Sequence, residues 1–464
     1  MPENDEEFEV DFQEEQAGDF DTLYGRWDEY FEKFNWNNPL YHKLLFHVLV
    51  GQLFKKIKIN KAGVELDGRI SVMLIQDQGT GKNTPFTPFK RICDLIDKEL
   101  SGSNPKIGEL KCNRLDEFSD AATIGTTRQI IDELGRTVFQ TVPGYFSENK
   151  SDIIMIKEAK SILDSYNRDS KIVQYINLAL EPIHSETIIT KVLVTGIVEC
   201  KSSASFLMTT YPTSEINTDI LASGLFRRLL VYYNKISLSE KKANIMKGFS
   251  NLHTTQAETE QFDSLGLNDE KLIASQLIAL YLSNPEEDLY FNIDKKIIPK
   301  IQNFINKYMN NAAKLPNEIM QVYSSIISSY SDYSIVIASH RALLFKRKEI
   351  NIEDIEYSLE IMDDVVSKLL GFIVWVYTNN ASKSKAEGYQ NEYDFNKEAI
   401  KLITASEMQG KPIKKDELVL KLKVMAKGGK FGFSGDSTVY RKVGSLFKQK
   451  ILGIDKNGYV KTLI

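Results

Sequence analysis

Cysteine is scarce in this chain. Cys93, Cys112 and Cys200 are the three present in 464 residues, scattered and without metal-ligand spacing. They cannot build a disulfide framework, which fits a reducing compartment. The five histidines are equally dispersed and offer no metal site. Long apolar runs are missing too, and the longest, Leu369 to Tyr377, is too short to span a bilayer. No signal-like stretch stands at the acidic start, so a cytoplasmic protein with no membrane partner is expected. No internal repeat is found.

What is present is ordinary in bulk and uneven in distribution. A composition of 42% hydrophobic and 26% charged residues suits a soluble globular protein. The length allows two to four domains. The formal net charge of −5 argues against a molecule that binds nucleic acid over its whole surface. Residues 1–20 hold nine acidic side chains and no basic one. That segment reads as a self-repelling, solubilising tail, with a docking segment or nucleic-acid mimic as the alternatives. From Phe395 onward the balance reverses, with 15 Lys/Arg against 6 Asp/Glu.

The most informative stretch is Met73-Leu74-Ile75-Gln76-Asp77-Gln78-Gly79-Thr80-Gly81-Lys82-Asn83, an apolar strand entering a Gly-x-Gly-Lys turn. Glycines let successive backbone N–H groups turn inward on phosphates, and a lysine reaches the outer ones. A helix is expected next, from Pro85 through Leu100, with its positive end toward the anion. The pattern is that of a nucleotide-binding P-loop, with Gly79, Thr80, Gly81, Lys82, Asn83 and Thr84 as the ligand-binding set. Two positions depart from it: Gln76 replaces the opening glycine, and Asn83 the closing Ser or Thr. The bland alternative is a glycine turn between strand and helix.

Along the chain, the pattern predicts a helical lead-in over 21–60, broken at Pro39, and an α/β core over 61–250. Strands are expected at Ile70–Ile75, Ile153–Ile156, Ser205–Thr210 and Arg228–Tyr233, with a hairpin over Ile188–Val198 turning at Thr195-Gly196. Interleaved strands and helices imply a three-layer αβα arrangement. Residues 250–270 are polar and read as a loop. Helices then dominate 251–377, a linker follows at 378–394, and 395–464 reads as three helices plus a hairpin around Asn457-Gly458. That ending is the outline of a basic winged-helix domain.

Further candidate motifs follow in the order a P-loop ATPase requires. Asp152-Ile-Ile-Met-Ile-Lys157-Glu158 resembles the second nucleotide motif, with Glu158 in the place of the water-activating carboxylate. Lys157 stands where a Mg²⁺-linked aspartate is expected. Phe206 to Pro212 resembles a sensor strand tipped by Thr209 and Thr210. Ser223 to Val231 resembles the neighbourhood of a trans-acting arginine finger, carried by Arg227 or Arg228. Arg341, in the helical part, is a candidate second sensor. Each has a plain structural alternative, as a strand end, a surface charge or a helix face.

In this order of parts, residues 25–375 resemble the AAA+ ATPases of the replicative-helicase kind, namely MCM-like helicases and phage or mobile-element primase-helicase C-terminal ATPases. The lead-in at Trp27 to Lys43 and the Ser119-Asp120-Ala121-Ala122 segment belong to the same likeness. The resemblance implies ATP and Mg²⁺ as cofactors, with Asn83 or Thr84 offering the metal an oxygen. Lys82 would bind phosphates, Glu158 activate water, Thr209 or Thr210 sense the γ-phosphate, and Arg227 or Arg228 act on a neighbour.

The function expected on this basis is an ATP-dependent DNA-translocating motor, a viral or mobile-element helicase working as a homo-oligomeric ring in the host cytoplasm. Single-stranded or forked DNA would contact Lys191 on the hairpin. It would also meet Arg441, Lys442, Lys448 and Lys450 on the last helix, and Lys456 on the wing. A solvated charged face is the plain reading of that helix. No primase-like carboxylate cluster is visible, so primer synthesis falls to a separate primase or replication protein. The alternative function is a nucleotide-switched helicase loader or an inactive ring subunit. A third is a DNA-binding regulator with a relic nucleotide fold.

Overall fold

The computed structural model describes residues 20–462 except 34–37, 62–63, 104–109, 115–122, 132–135, 149–151, 161, 164–170, 186, 214–215, 217, 251–255, 285–288, 428–435 and 449–450. Residues 1–19 of the acidic tail, the Ser119–Ala122 segment and Lys450 therefore lie outside the described residues.

Five segments form one parallel sheet: β1 (Val72–Gln76), β2 (Cys112–Arg114), β3 (Ile153–Lys157), β4 (Ser205–Thr210) and β5 (Leu230–Asn234). Their spatial order is β5-β1-β4-β3-β2, with every neighbouring pair parallel. β1 and β4 are buried along their whole length, which is why they read as unbroken apolar runs. The chain leaves β1 through the helix Phe86–Ser103 and reaches β2 at the far edge. It returns through β3 and β4, then crosses to place β5 on the other side of β1. The connections thus reverse at β1, and the crevice beyond its carboxyl end is where such sheets bind ligands. The molecule is a mixed α/β protein.

The lead-in helices, Phe20–Glu32 and Pro39–Leu53, are split at Pro39 as the sequence predicts. They join the main core rather than standing apart. Trp27 meets Phe46 and Phe89 edge-on, the latter in the helix that follows β1. Buried Glu270, on the helix Gln256–Ser283, accepts from the Tyr30 hydroxyl and from Arg91 Nε at 2.7 Å. A smaller sheet runs Glu349–Ile350, Tyr290–Ile293, Lys58–Lys61, Val64–Leu66. It stitches the chain just before β1 to the helical region, so residues 251–377 share one continuous core with the parallel sheet.

Two expectations are corrected. The polar stretch 250–270 is not simply a loop, because the helix Gln256–Ser283 includes most of it. Its described buried apolar residues, Ile273, Ala274 and Leu277 among them, lie in its second half. The expected linker at 378–394 is also helical, within a single helix Ile352–Met408. Its Lys, Ala, Glu and Gln residues are good helix formers that carry no apolar stripe.

Residues Met1–Tyr377 and Thr378–Ile464 are separate compact units. In the second, Phe395, Leu418, Leu422, Val443 and Leu446 are core residues. The helices Lys415–Lys427 and Asp436–Lys448 precede a hairpin, Leu452–Ile454 with Val460–Thr462. Its turn holds Gly458 at φ +82°. Among the described residues no helix is long and apolar enough to cross a membrane.

A buried histidine pair fastens the lead-in to the helical region. His340 Nε2 lies 2.7 Å from the Gly68 carbonyl, His340 Nδ1 3.2 Å from His47 Nδ1, and His47 Nε2 3.0 Å from the Tyr357 hydroxyl. A carbonyl can only accept, so His340 carries its proton on Nε2 and accepts at Nδ1 from His47. His47 Nε2 then accepts from Tyr357, and both rings are neutral. Burial lowers the His340 pKa from 6.5 to about 4. It also holds His47 well below its ordinary value, with His340 and Lys43 adding to the effect.

The unfolded chain therefore binds protons below pH 6.5 that the native chain refuses. Stability falls as the pH drops from 6.5 toward 4, by about 1.4 kcal/mol per unit for each histidine. The melting temperature is expected to fall between pH 7 and pH 5, and less steeply in a His47→Gln/His340→Gln double variant. Equal slopes in both proteins would place the acid sensitivity elsewhere.

Candidate functional site

The carboxyl end of β1 enters a loop whose two glycines take left-handed backbone angles, Gly79 at φ +68° and Gly81 at φ +77°. Side chains are strained there, which explains the residue choice. Gln76, the departure from the glycine pattern, braces the loop from beneath. Its Nε2 donates to Thr80 Oγ1 at 2.8 Å and to the Thr80 carbonyl at 3.2 Å. Its Oε1 accepts from Asn234 Nδ2, at the end of β5, at 2.9 Å. The Thr80 hydroxyl donates back to the Asp77 carbonyl. Thr84 is exposed, and its N–H closes the loop on the Gly81 carbonyl at 2.9 Å.

Residues from three distant segments meet above this loop. Lys82 is buried, its Nζ 2.8 Å from Glu158 Oε1 and 5.1 Å from the centre of the Tyr211 ring. Glu158 directly follows β3 and sits at φ +66°, one of two described non-glycine residues with positive φ. That conformation costs on the order of 1–3 kcal/mol and collects at functional sites. The Thr209 hydroxyl, on β4, donates to Asn83 Oδ1 at 2.6 Å. Its carbonyl accepts from the Ala159 N–H at 2.8 Å, which pins the turn carrying Glu158. Thr210 differs, since its hydroxyl turns to the Tyr211 carbonyl at 3.5 Å. Thr209 is therefore the threonine that faces the loop.

Two participants escaped the sequence analysis. Lys241, on the helix Leu238–Ser250 after β5, donates from Nζ to the Gln78 carbonyl at 3.1 Å. Tyr211 lies over Lys82. Lys241 belongs to no recognisable motif, and Tyr211 lies in the sensor-like Phe206 to Pro212 segment without a role assigned to it there. The one available signal was position, immediately after strands that end at the crevice.

The arginines stand elsewhere. Arg227 and Arg228 lie in the short helix Leu225–Arg228, just before β5. The Leu230 N–H bonds to the Ser71 carbonyl, so this segment sits at the amino edge of the sheet. The length of β5, five residues at about 3.3 Å each, separates it from the loop by roughly 17 Å. Arg228 is held by Glu181, with Nε at 2.9 Å, and its carbonyl accepts from Tyr333. Arg227 is exposed.

Arg341 is not brought to the loop either. It pairs with buried Asp354 at 2.9 Å, which also takes Arg347 at 2.7 Å. The adjacent His340 reaches Gly68, again at the amino edge. Asn351 and Asp354 cap each other reciprocally at 3.0 Å, so Arg341 serves as counter-ion at a helix start.

Lys191 is also engaged. Its Nζ donates to the Gly125 carbonyl at 2.9 Å, tying the hairpin Ile189–Cys200 to an unanticipated hairpin of Gly125–Ile131 with Thr137–Pro143. Exposed apolar side chains there, among them Val192, Val194, Ile197, Ile131 and Phe139, alternate with exposed polar ones such as Thr190, Glu199, Arg128 and Gln129. In the second unit, Arg441 and Lys448 are exposed on the helix Asp436–Lys448, opposite buried Val439, Val443 and Leu446. Lys456 is exposed at the hairpin turn, and Lys442 is half-buried.

The family likeness implies Mg²⁺, and the donors at the loop bear on whether the ion fits. Hard cations take oxygen ligands, carboxylates above all. The residue at the expected aspartate position is Lys157. Asn83 Oδ1 already accepts from Thr209, and Glu158 is paired with Lys82. Among the described residues no group of three or more His, Cys, Asp or Glu is placed to hold a metal. The set does not fit the ion. No protein-family model matches the chain, and no curated protein matches it.

Proposed function

We propose that the chain is an ATP-binding P-loop protein of the AAA+ kind, a DNA-translocating motor that works as a ring. One observation carries the reading. Lys82, Asn83, Glu158 and Thr209, selected as separate motifs along the sequence, converge within bonding distance at the switch point of a parallel sheet. Strand ends elsewhere offer no reason for a buried lysine, a strained glutamate and a sensor-like threonine to meet.

In this reading Lys82 and the loop N–H groups bind the phosphates. Glu158 orients water and takes its proton, and Thr209 reports the outer phosphate through Asn83. Arg227 is too far away to serve its own site, so its use requires a neighbouring subunit, which motivates the ring. The three helices and hairpin of the second unit are read as a winged helix, with Arg441, Lys448 and Lys456 meeting phosphates.

The second reading, a nucleotide-switched loader or inactive ring subunit, is favoured by Lys157 and by the Lys82–Glu158 pair. Phosphate release from ATP, with and without single-stranded DNA, decides between them. DNA-stimulated release is the expected result. Tight ATP binding without release would replace the motor with the switch.

A further inference from the structure

The misfit with a divalent cation has a positive counterpart. A nucleoside triphosphate carries a dense negative charge that something must offset, and in most phosphate loops a metal shares that work with lysine. Here two lysines already engage the loop: Lys82 is held against the Tyr211 ring, and Lys241 reaches the Gln78 carbonyl. Lys157 ends β3 in register with Thr209, the residue whose hydroxyl touches Asn83. Neighbouring strands are about 4.8 Å apart, so the lysine stem begins one strand from the loop's own contact. A lysine is a compact charge on a flexible stem, suited to follow a phosphate chain.

Resting on the P-loop reading above, we infer that this loop binds nucleoside triphosphate as the metal-free polyphosphate, with Lys157 supplying the charge that a divalent cation would otherwise bring. Lys82, Lys157 and Lys241 form the recognition set. Glu158 holds Lys82 in place until the incoming phosphates displace its carboxylate. The Thr209–Asn83 bond keeps the end of β4 against the loop, and the Ala159 N–H bond to the Thr209 carbonyl keeps the end of β3 beside it.

The experiment titrates the full chain with a fluorescent ATP analogue in EDTA and again in Mg²⁺. It uses the wild type, Lys157→Met and Lys157→Asp, with melting curves to verify that each variant is folded. The wild type is expected to bind equally well in both buffers. Lys157→Met should weaken binding in EDTA by about tenfold or more, the loss of one charge-assisted phosphate contact. Lys157→Asp should bind weakly in EDTA and recover in Mg²⁺, as the carboxylate restores a cation ligand.

A wild type that binds in Mg²⁺ but loses its affinity in EDTA would overturn the inference and leave the P-loop reading standing. So would a Lys157→Met protein with unchanged affinity in EDTA. Absence of binding in both buffers would instead sink the nucleotide reading itself. Should Lys157→Met fail to fold, Lys157→Gln carries the same titration in EDTA, and unchanged affinity there overturns the inference.

Discussion

Replacing Lys82 with alanine is expected to weaken binding of a fluorescent ATP analogue by about a hundredfold, the loss of two charge-assisted phosphate contacts. The lysine follows two glycines that turn the loop, and its head group lies at the mouth of the crevice beside Glu158. The fold should survive. The partner left behind, Glu158, is 44% exposed and is hydrated by solvent when the lysine is gone. Lys82→Arg is not a rescue, because a guanidinium presents its donors in a fixed planar fork and not as the compact charge with three rotatable donors that a lysine carries. An alanine variant that binds the analogue with wild-type affinity would reduce the loop to a turn between strand and helix.

Arg227→Ala is expected to cost phosphate release on the order of a thousandfold while leaving nucleotide affinity unchanged, the behaviour of a finger acting across subunits. Arg228→Ala should behave differently. It strips Glu181 of its partner and lowers the melting temperature, because Arg228 and its carbonyl anchor the turn before β5. The decisive version mixes Arg227→Ala with Glu158→Gln. Each is expected to be inactive alone, the first lacking the proposed finger and the second the proposed water-orienting carboxylate. In mixed assemblies some interfaces pair an intact Glu158 with an intact Arg227 from the next subunit, and activity returns in part. Co-assembled proteins that remain inactive would remove the trans role.

Four of the five parallel strands were legible because they are largely buried and so are written as apolar runs between polar breaks, whereas β2, the short Cys-Asn-Arg segment at the sheet edge, carries no such run. The loop was legible because glycine and lysine at that spacing have few other uses. Lys82, Asn83, Glu158 and Thr209 could be named from local pattern and are brought together. Arg341 could not be resolved the same way, because a helix-face arginine looks identical whether it serves a phosphate or a buried Asp354.

The smaller sheet was illegible for a different reason. Its strands are two to four residues long, and Lys58–Lys61 pairs with residues far away in the sequence, so no local period announces it. Lys241 and Tyr211 gain their places from tertiary proximity alone. The helix Gln256–Ser283 was hidden by a first half rich in Gln, Glu, Asp and Ser, which reads as a loop.

That smaller sheet also sets an order of events during synthesis. Lys58 must await Tyr290, 232 residues later in the chain. At the usual elongation rate of about 5–20 residues per second, the wait is roughly 12–46 s. The parallel sheet is complete once Asn234 has emerged, so the crevice at its carboxyl end can form while one border of the Lys58–Lys61 strand still lacks its neighbour. Such a border is a template for joining another nascent chain. Lysine at both ends of this strand, Lys58 and Lys61, is the kind of charge that discourages it. The pause between emergence and pairing is thus built into the topology, and the two lysines guard the strand until Tyr290–Ile293 arrives.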